Sequence, residues 1–437
     1  MSMNLKLITA GVLAMASFAA SAQVTLYGGG ATLPAQAYVG DSFYVPTNNG
    51  NDSQRKTTVT RAANPAFEGT VFGEVAQRGF GASQFQFVSY CQTGSGLGRR
   101  VLIGQVVSGS VANANGTCPT FATTPTGFGA TAAQTVPDFA ASDAPLSAAE
   151  YQTGVNSFGA NLRPSAPVQF PVLAAAISVI FKNADVTGTL NLSKAQVCSI
   201  FNGQINNWNQ ISNTYPSKAI KVVYRSDGSG TTFSFANFLA ANCPGSGYRA
   251  FDLFVGASNG ALTTAPAGSI AASGNPGVAN TVSITEGAIG YGELGDSLLR
   301  AGNGLQVSNV AGKAPGSVVA PTLTIVKDQA INGVGANGTP VLQAITPNGK
   351  AGCIVVADPN SYSVQPASNY PIVGVTYLLA YQTGNRLPAA VARLISGPYT
   401  RAVESNSNDQ PMDSVRPGSG YAFLAGNLTT TIKGCVK

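Results

Sequence analysis

One strand–loop–helix unit constrains the fold more than any other part of the sequence. Residues 219–223 are typical of a short buried strand, and residues 233–241 carry apolar side chains at helical spacing. The loop between them contains glycines, hydroxyls and Arg225. Such glycines let successive N–H groups point at one spot beside a helix N-terminus, and a guanidinium suits a tetrahedral oxyanion. The unit therefore predicts capture of a small anion, and the alternative is an ordinary βα turn with capping hydroxyls.

The same arrangement recurs three times within the first 150 residues. The predicted strands are residues 24–27, 85–91 and 138–141, and the polar loops after them contain Thr32, Ser95 and Asp143. Because open α/β sheets bind ligands at the carboxyl ends of their strands, we expect the four loops to converge on one anion. For Asp143, the alternative is a turn residue that bonds its own backbone.

Each of these loops is predicted to open a helix. Thr32 is a candidate N-cap for a helix that runs to about residue 43, with Pro34 in its first turn. Arg99 and Arg100 are expected to be solvated residues in the first turn of the next helix. Ser147, followed three residues later by Glu, has the capping-box pattern of a third helix start.

The N-terminal segment has the pattern of a secretory signal peptide. Lys6 precedes an apolar run over residues 7–20, which ends in an Ala-Ser-Ala cleavage pattern. We therefore expect residues 1–22 to be removed, giving a periplasmic protein that starts at Gln23, with an extracellular location as the alternative.

The six cysteines of an exported chain predict three disulfides. Pairing of neighbours along the chain is the simplest scheme, although fifteen connectivities are open. A zinc site is not expected, because the sequence has no Cys-x-x-Cys pair and no His. The simplest scheme joins Cys91–Cys118, Cys198–Cys243 and Cys353–Cys435.

Composition excludes several kinds of chemistry. Without His, the chain lacks the commonest general base, nucleophile activator and catalytic zinc ligand. Only 10% of residues are charged, and the formal net charge of +6 is a weak indication of nucleic-acid binding without basic clusters. An enzyme that uses Ser229 or Thr231 as nucleophile would lack an obvious base.

Two long apolar segments indicate a discontinuous first domain. Residues 169–181 and 369–381 each have an aromatic residue and a Pro at their second and third positions, and they enclose about two hundred residues. We expect both to be strands that cross between lobes, with lobe 1 comprising 23–167 and 374–437 and lobe 2 comprising 168–373. Residues 44–80 are interpreted as a long loop or insertion, as are residues 107–135.

Together these motifs resemble the phosphate-binding proteins of bacterial ABC transporters. The resemblance covers most of the mature chain, and the Gly-rich start at residues 28–34 is similar to the DING-type branch of the family. Residues 255–345 match poorly, and the DING tetrapeptide itself is absent. The motifs that carry the resemblance are residues 28–34, 94–96, 142–143, 192–208, 225–231 and 288–291, with the two aromatic-Pro strands.

The resemblance implies a two-lobed α/β Venus-flytrap fold (type II) that closes on one phosphate. It implies that Asp143 accepts a hydrogen bond from protonated phosphate and that Arg225, supported by Asp227, pairs with its charge. It also implies a monomer that needs no cofactor and delivers inorganic phosphate to an ABC permease. The implied phosphate donors are Thr32, the Leu33 amide, Ser95, Arg225, Ser229, Gly230 and Thr231.

The presence of Asp143 predicts selectivity for phosphate over sulfate, because a carboxylate only accepts hydrogen bonds and fully ionised sulfate has no proton to donate. An unmade buried bond of this kind costs about 1–3 kcal/mol, and more for charged groups. Two alternatives to transport are a secreted scavenger without a permease and a weak phosphatase.

Overall fold

The computed structural model describes residues 25–40, 69–77, 87–105, 136–160, 163–400 and 412–437, with the strand segments 44–45, 54–55 and 58–60. The predicted signal peptide, Cys118, segment 107–135 and most of segment 44–80 lie outside the described residues. None of the described helices is long and apolar enough to cross a membrane.

Strands and helices alternate along the chain, as the repeated strand–loop–helix pattern predicts. The strands are β1 (Thr25–Gly30), β2 (Tyr44–Val45), β3 (Gln54–Arg55), β4 (Thr58–Thr60), β5 (Phe87–Cys91), β6 (Phe139–Ser142), β7 (Pro167–Ala176), β8 (Ser178–Phe181), β9 (Asn191–Leu192), β10 (Lys221–Arg225), β11 (Leu253–Val255), β12 (Gly260–Leu262), β13 (Ile270–Ala272), β14 (Ala288–Gly292), β15 (Gln306–Val307), β16 (Asn309–Val310), β17 (Ile325–Lys327), β18 (Gln329–Val334), β19 (Pro340–Ala344), β20 (Val355–Ala357), β21 (Val373–Tyr381) and β22 (Tyr421–Phe423). The helices are α1 (Ala35–Val39), α2 (Val71–Gln77), α3 (Ser95–Leu102), α4 (Ala148–Gly159), α5 (Lys194–Phe201), α6 (Gly230–Asn242), α7 (Gly274–Ile284), α8 (Leu294–Leu298), α9 (Pro359–Tyr362), α10 (Pro388–Thr400) and α11 (Thr429–Cys435).

The first lobe is built on a seven-stranded sheet in the order β22-β7-β21-β6-β1-β5-β4. β1 lies parallel to β5 and β6, so the loops after these three strands emerge at one edge. β21 pairs antiparallel with β6 and β7. β7 and β21 are buried along their whole length, which accounts for their apolar sequences.

The second lobe is built on a five-stranded sheet in the order β13-β10-β14-β8-β15. β10 lies parallel to β13 and β14, and β8 is antiparallel to β14. Trp208 is completely buried, and its indole N–H donates to the Gly287 carbonyl at 3.0 Å. Trp208 is therefore a packing residue of the core.

The chain passes directly between the two sheets at Ile177, which separates β7 in the first sheet from β8 in the second. Residues 169–181, predicted as one strand, therefore belong to two strands, β7 and β8. The matching prediction for residues 369–381 is wrong at its start, because β21 begins at Val373 and stays in the first sheet. Pro371 has no N–H to donate to a sheet, and the Ile372 carbonyl accepts a bond from the Ile177 N–H instead.

The helix start predicted at Ser147 has the expected capping box, and a second capping box lies at Ser193 before α5. The first helix differs from its prediction, because Pro34 occupies the cap position and α1 ends at Val39. Segment 44–80, interpreted as a loop, contains α2. Four buried apolar residues form the core-facing side of α2: Val71, Phe72, Val75 and Ala76.

Two of the predicted disulfides are confirmed. Cys198 joins Cys243, linking α5 to the end of α6, and Cys353 joins Cys435. Cys91 is also disulfide-bonded, and its predicted partner Cys118 lies outside the described residues.

Candidate anion-binding site

The polar loops of both lobes meet at one place. Thr32 follows β1, Ser95 follows β5, Asp143 follows β6, and Arg225 ends β10 of the other sheet. All four residues are at most 2% exposed. A direct bond joins the two sides, since Arg225 Nη1 donates to Thr32 Oγ1 at 3.1 Å.

Arg225 is held in one orientation by partners from three segments of the chain. Asp227 accepts from Nε at 2.7 Å and from Nη2 at 2.5 Å, which is the bidentate geometry of a strong Arg–carboxylate pair. Nη1 also donates to Asn275 Oδ1 at 3.0 Å. Burial lowers the pKa of Arg225, but the Asp227 charge outweighs this and raises it, so the guanidinium stays charged. Burial acts to raise the pKa of Asp227, but the charge and hydrogen bonds of Arg225 outweigh burial, so the pKa of Asp227 is lowered.

Asp143 is completely buried and has a free acceptor. Its Oδ2 accepts from Ser95 Oγ at 3.3 Å, and the Asp143 backbone N–H donates to Ser95 Oγ at 3.1 Å. Its Oδ1 has no hydrogen-bond partner among the described residues. Burial raises the pKa of Asp143 to about 7, although Arg225, Ser95, Arg99 and Thr231 act in the opposite direction. A carboxyl with this pKa is partly protonated and partly ionised at neutral pH.

The N-terminus of α6 closes the site. Ser229 is the N-cap, and its Oγ accepts from the Thr232 N–H at 3.0 Å. A Cβ at Gly230 would lie 2.5 Å from Ser95 Oγ and 2.6 Å from Asp143 Cβ, so only glycine allows this approach. The Thr231 hydroxyl accepts a hydrogen bond from Arg225 Nη1 at 3.5 Å. The positive end of a 13-residue helix therefore faces Asp143 and Arg225.

Thr32 and Leu33 do not cap α1 with a side chain, which corrects the prediction for Thr32. Thr32 Oγ1 instead accepts from Arg225 and from the Asn275 N–H, the latter at 3.3 Å. The helix begins only at Ala35, which leaves Thr32 free to contact the other lobe. The Leu33 carbonyl accepts from the Tyr421 hydroxyl at 2.7 Å.

Asn275 belongs to the site and was not predicted from the sequence. It is fully buried near the start of α7, where it bonds Arg225 and donates from Nδ2 to Thr231 Oγ1 at 3.4 Å. Gly274, the first residue of α7, donates its N–H to Asp227 Oδ1 at 3.0 Å. The signal that would have found Asn275 is a fifth strand–loop–helix unit, in which β13 leads into α7.

Arg99 also lies in a different environment from the one predicted from the sequence. It lies in the last turn of α3, not the first, and is 5% exposed. It donates to Glu150 at 2.9 Å, Ser142 at 2.9 Å and Asp252 at 2.8 Å. The prediction of a solvated Arg99 is therefore wrong, whereas Arg100 is exposed as expected.

The chemistry that this arrangement supports is anion binding by hydrogen bonds. One buried guanidinium, several hydroxyls and a helix N-terminus supply donors, and Asp143 supplies an acceptor. In the part of the chain that the structure describes, no group of three His, Cys, Asp or Glu residues could hold a metal ion.

Known proteins provide a family and a shared fold. A family model described as a PBP superfamily domain matches residues 51–396. The chain is 29% identical over 241 residues to alkaline phosphatase L of Pseudomonas aeruginosa, covering 54% of this chain and 58% of that protein. It is 32% identical over 255 residues to phosphate-binding protein PstS 3 of Mycobacterium tuberculosis, covering 55% and 59%. These alignments thus span little more than half of each relative.

Solved structures match over nearly the whole chain. A high-affinity periplasmic phosphate-binding protein bound with phosphate, PfluDING, has a TM-score of 0.56 at 22% identity and covers 94% of this chain and 93% of its own. The phosphate-binding protein from Stenotrophomonas maltophilia has a TM-score of 0.55 at 24% identity, with the same coverage. At these identities the likeness establishes a common two-lobed fold.

Proposed function

The chain belongs to the PBP superfamily, and from this membership and its site we propose that it binds inorganic phosphate between its two lobes. The proposed ligands are Thr32, the Leu33 amide, Ser95, Asp143, Arg225, Ser229, Gly230 and Thr231, with Asp227 in support. Ser229 contributes as the cap that fixes the α6 N-terminus, because its hydroxyl already accepts a helix N–H.

The observation that carries this proposal is the buried Asp143 Oδ1, which has no hydrogen-bond partner among the described residues, beside a buried Arg225 whose charge acts on the Asp143 carboxyl. An oxyanion needs donors on most of its oxygens, and Arg225 and the α6 N-terminus supply them. Only an anion that carries a proton can also satisfy an acceptor. Hydrogen phosphate at neutral pH meets both requirements, whereas sulfate meets only the first.

Calorimetric titration of the purified protein with phosphate and with sulfate tests the proposal. We expect 1:1 binding of phosphate and no sulfate binding at pH 8, where Asp143 is ionised. Asp143→Asn has the same shape but adds a donor, so it should gain sulfate binding. Equal discrimination by the variant and the parent would show that Asp143 does not recognise the proton.

The wider role that we propose is delivery of phosphate to an ABC permease by a monomeric periplasmic protein that needs no cofactor. The names of the Mycobacterium relative and of PfluDING support the phosphate-binding part of this role, and the name of PfluDING and the signal-peptide pattern at residues 1–22 support the periplasmic location. A gene neighbourhood without a permease and an ATPase would instead favour a secreted scavenger.

A second function, slow hydrolysis of phosphomonoesters, is favoured by one observation. Ser95 Oγ lies 3.3 Å from the Asp143 carboxylate, so a hydroxyl has a base beside it, and some relatives are named alkaline phosphatase L. We propose binding as the main function because the site is enclosed. Gly230 already touches Ser95 and Asp143, so an organic substituent would prevent closure. Release of p-nitrophenol from its phosphate ester by the parent but not by Ser95→Ala would reverse this order.

A further inference from the structure

Arg99 and Asp252, which are not among the proposed phosphate ligands, form an ion pair between the two lobes. Arg99 lies on α3, which packs against β1 and β6 of the first lobe. Asp252 lies between α6 and β11 of the second lobe, and its Oδ2 is 2.8 Å from Arg99 Nη2. Burial lowers the pKa of Arg99, but Glu150 and Asp252 outweigh it and raise the pKa, so the guanidinium stays charged.

The partners of Arg99 divide between the lobes. Glu150 and Ser142 belong to the first lobe and remain beside Arg99 whatever the second lobe does. Asp252 is the described partner of Arg99 from the second lobe. Separation of the lobes would therefore break one ion pair and leave the buried guanidinium paired with Glu150, which avoids the high cost of an unpaired buried charge.

Both ends of the pair are attached to the phosphate loops. Ser142, which accepts from Arg99, directly precedes Asp143. The Asp252 carbonyl accepts the Ser229 N–H at 2.8 Å, and Ser229 is the N-cap of α6. A Cβ at Gly96 would lie 3.3 Å from Asp252 Oδ2, so the carboxylate sits tightly against the loop that carries Ser95. The ion pair therefore fixes the distance between the loops that would grip the anion.

The enclosure of the site makes this distance matter. Thr32, Ser95, Asp143 and Arg225 are at most 2% exposed, so an ion cannot enter or leave without separation of the lobes. We propose that Arg99 and Asp252 are positioning residues that pair only in the closed form and retain the anion by slowing reopening. This inference rests on the proposed phosphate binding for its ligand, but not for its effect on closure.

Asp252→Asn tests the proposal because it removes the charge and keeps the shape. The matched control is Glu286→Gln, which makes the same charge change in the Lys218–Glu286 pair (2.7 Å) within the second lobe. Three quantities are compared with the parent: the phosphate Kd by calorimetry, the dissociation rate by stopped flow, and the radius of gyration without phosphate by X-ray scattering.

We expect Asp252→Asn to bind phosphate roughly five- to thirty-fold more weakly, the lower part of the usual range for coupling between sites, because Asp252 is 30% exposed. Its dissociation rate should rise by a similar factor, and its phosphate-free form should be more expanded. Asp252→Glu should restore most of the affinity, and Glu286→Gln should match the parent in all three measurements.

The outcomes separate this proposal from the proposed function. If the parent does not bind phosphate, the proposed function is refuted. The radius of gyration of Asp252→Asn, compared with that of the parent, then tests the role of the ion pair by itself. If Asp252→Asn matches the parent in the radius of gyration and in any measurable Kd and dissociation rate, the pair does not control closure. Loss of affinity with an unchanged dissociation rate and radius would also overturn the proposal.

Discussion

Arg225→Ala is the substitution with the largest expected effect on phosphate binding. It removes a 1%-exposed positive charge and the donors that now reach Asp227, Thr32 and Asn275. Asp227 would remain beside the site and would still accept from the Gly274 N–H at 3.0 Å. The variant would therefore replace a nearly neutral Arg–Asp pair by a net negative charge.

The size of the effect follows from these contacts. Loss of one partner of a buried, hydrogen-bonded charge pair costs about 2–5 kcal/mol, which is roughly 1.5 to 3.5 decades in Kd at 1.4 kcal/mol per decade. We expect the upper half of this range, because phosphate would also be repelled by Asp227 across a water-excluded site. Removing Asp227 as well, in Arg225→Ala/Asp227→Ala, should recover part of the loss.

Calorimetry measures this loss, with thermal unfolding to show that the variants are folded. The control is Arg100→Ala, which removes the same charge from an exposed position on α3 and should change Kd by less than twofold. The reasoning is refuted if folded Arg225→Ala binds phosphate within a few-fold of the parent. A larger effect of Arg100→Ala would place the anion elsewhere.

Three further predictions concern the neighbours of Arg225. With a pKa of about 7, Asp143 holds a proton below that pH and can donate to sulfate, so sulfate affinity should rise as the pH falls from 8 to 5 and should be independent of pH in Asp143→Asn. In the phosphate-free protein, the folded state keeps the Asp143 proton up to about pH 7, whereas the unfolded chain loses it near pH 3.8. The free energy of unfolding should therefore fall between pH 4 and pH 7, by about 4 kcal/mol at most. Asp143→Asn should flatten this slope. Asn275→Ala should weaken phosphate binding roughly tenfold, by about 1.5 kcal/mol, because Arg225 and Thr231 lose a common partner; calorimetry showing no change would remove Asn275 from the site.

Local sequence patterns predicted the elements and loops that local interactions determine. The capping box at Ser147 is formed by residues three apart, and the strand–loop–helix unit at Arg225 depends on adjacent residues. The convergence of Thr32, Ser95, Asp143 and Arg225 followed from one rule about strand ends, without knowledge of side-chain positions.

Interactions between distant residues were not predictable in this way. Arg99 pairs with Asp252, 153 positions away, and no pattern near Arg99 distinguishes a buried guanidinium from a solvated one. Thr32 and Pro34 have the composition of a helix start, but bonds from Arg225, 193 positions away, hold the Thr32 hydroxyl. In both cases a contact between lobes replaces the local preference, so the misplaced residues are those that join the two halves.

The charges around the site explain why selectivity need not depend on net charge. Arg225 is neutralised by Asp227, and Arg99 by Glu150 and Asp252, so each of these two buried cations already has an anion beside it. A bound oxyanion therefore gains mainly directed hydrogen bonds, which depend on where its protons are. The overall charge of +6 raises the rate at which anions arrive but does not separate phosphate from sulfate. Discrimination thus falls to Asp143, the buried carboxyl whose second oxygen has no partner among the described residues.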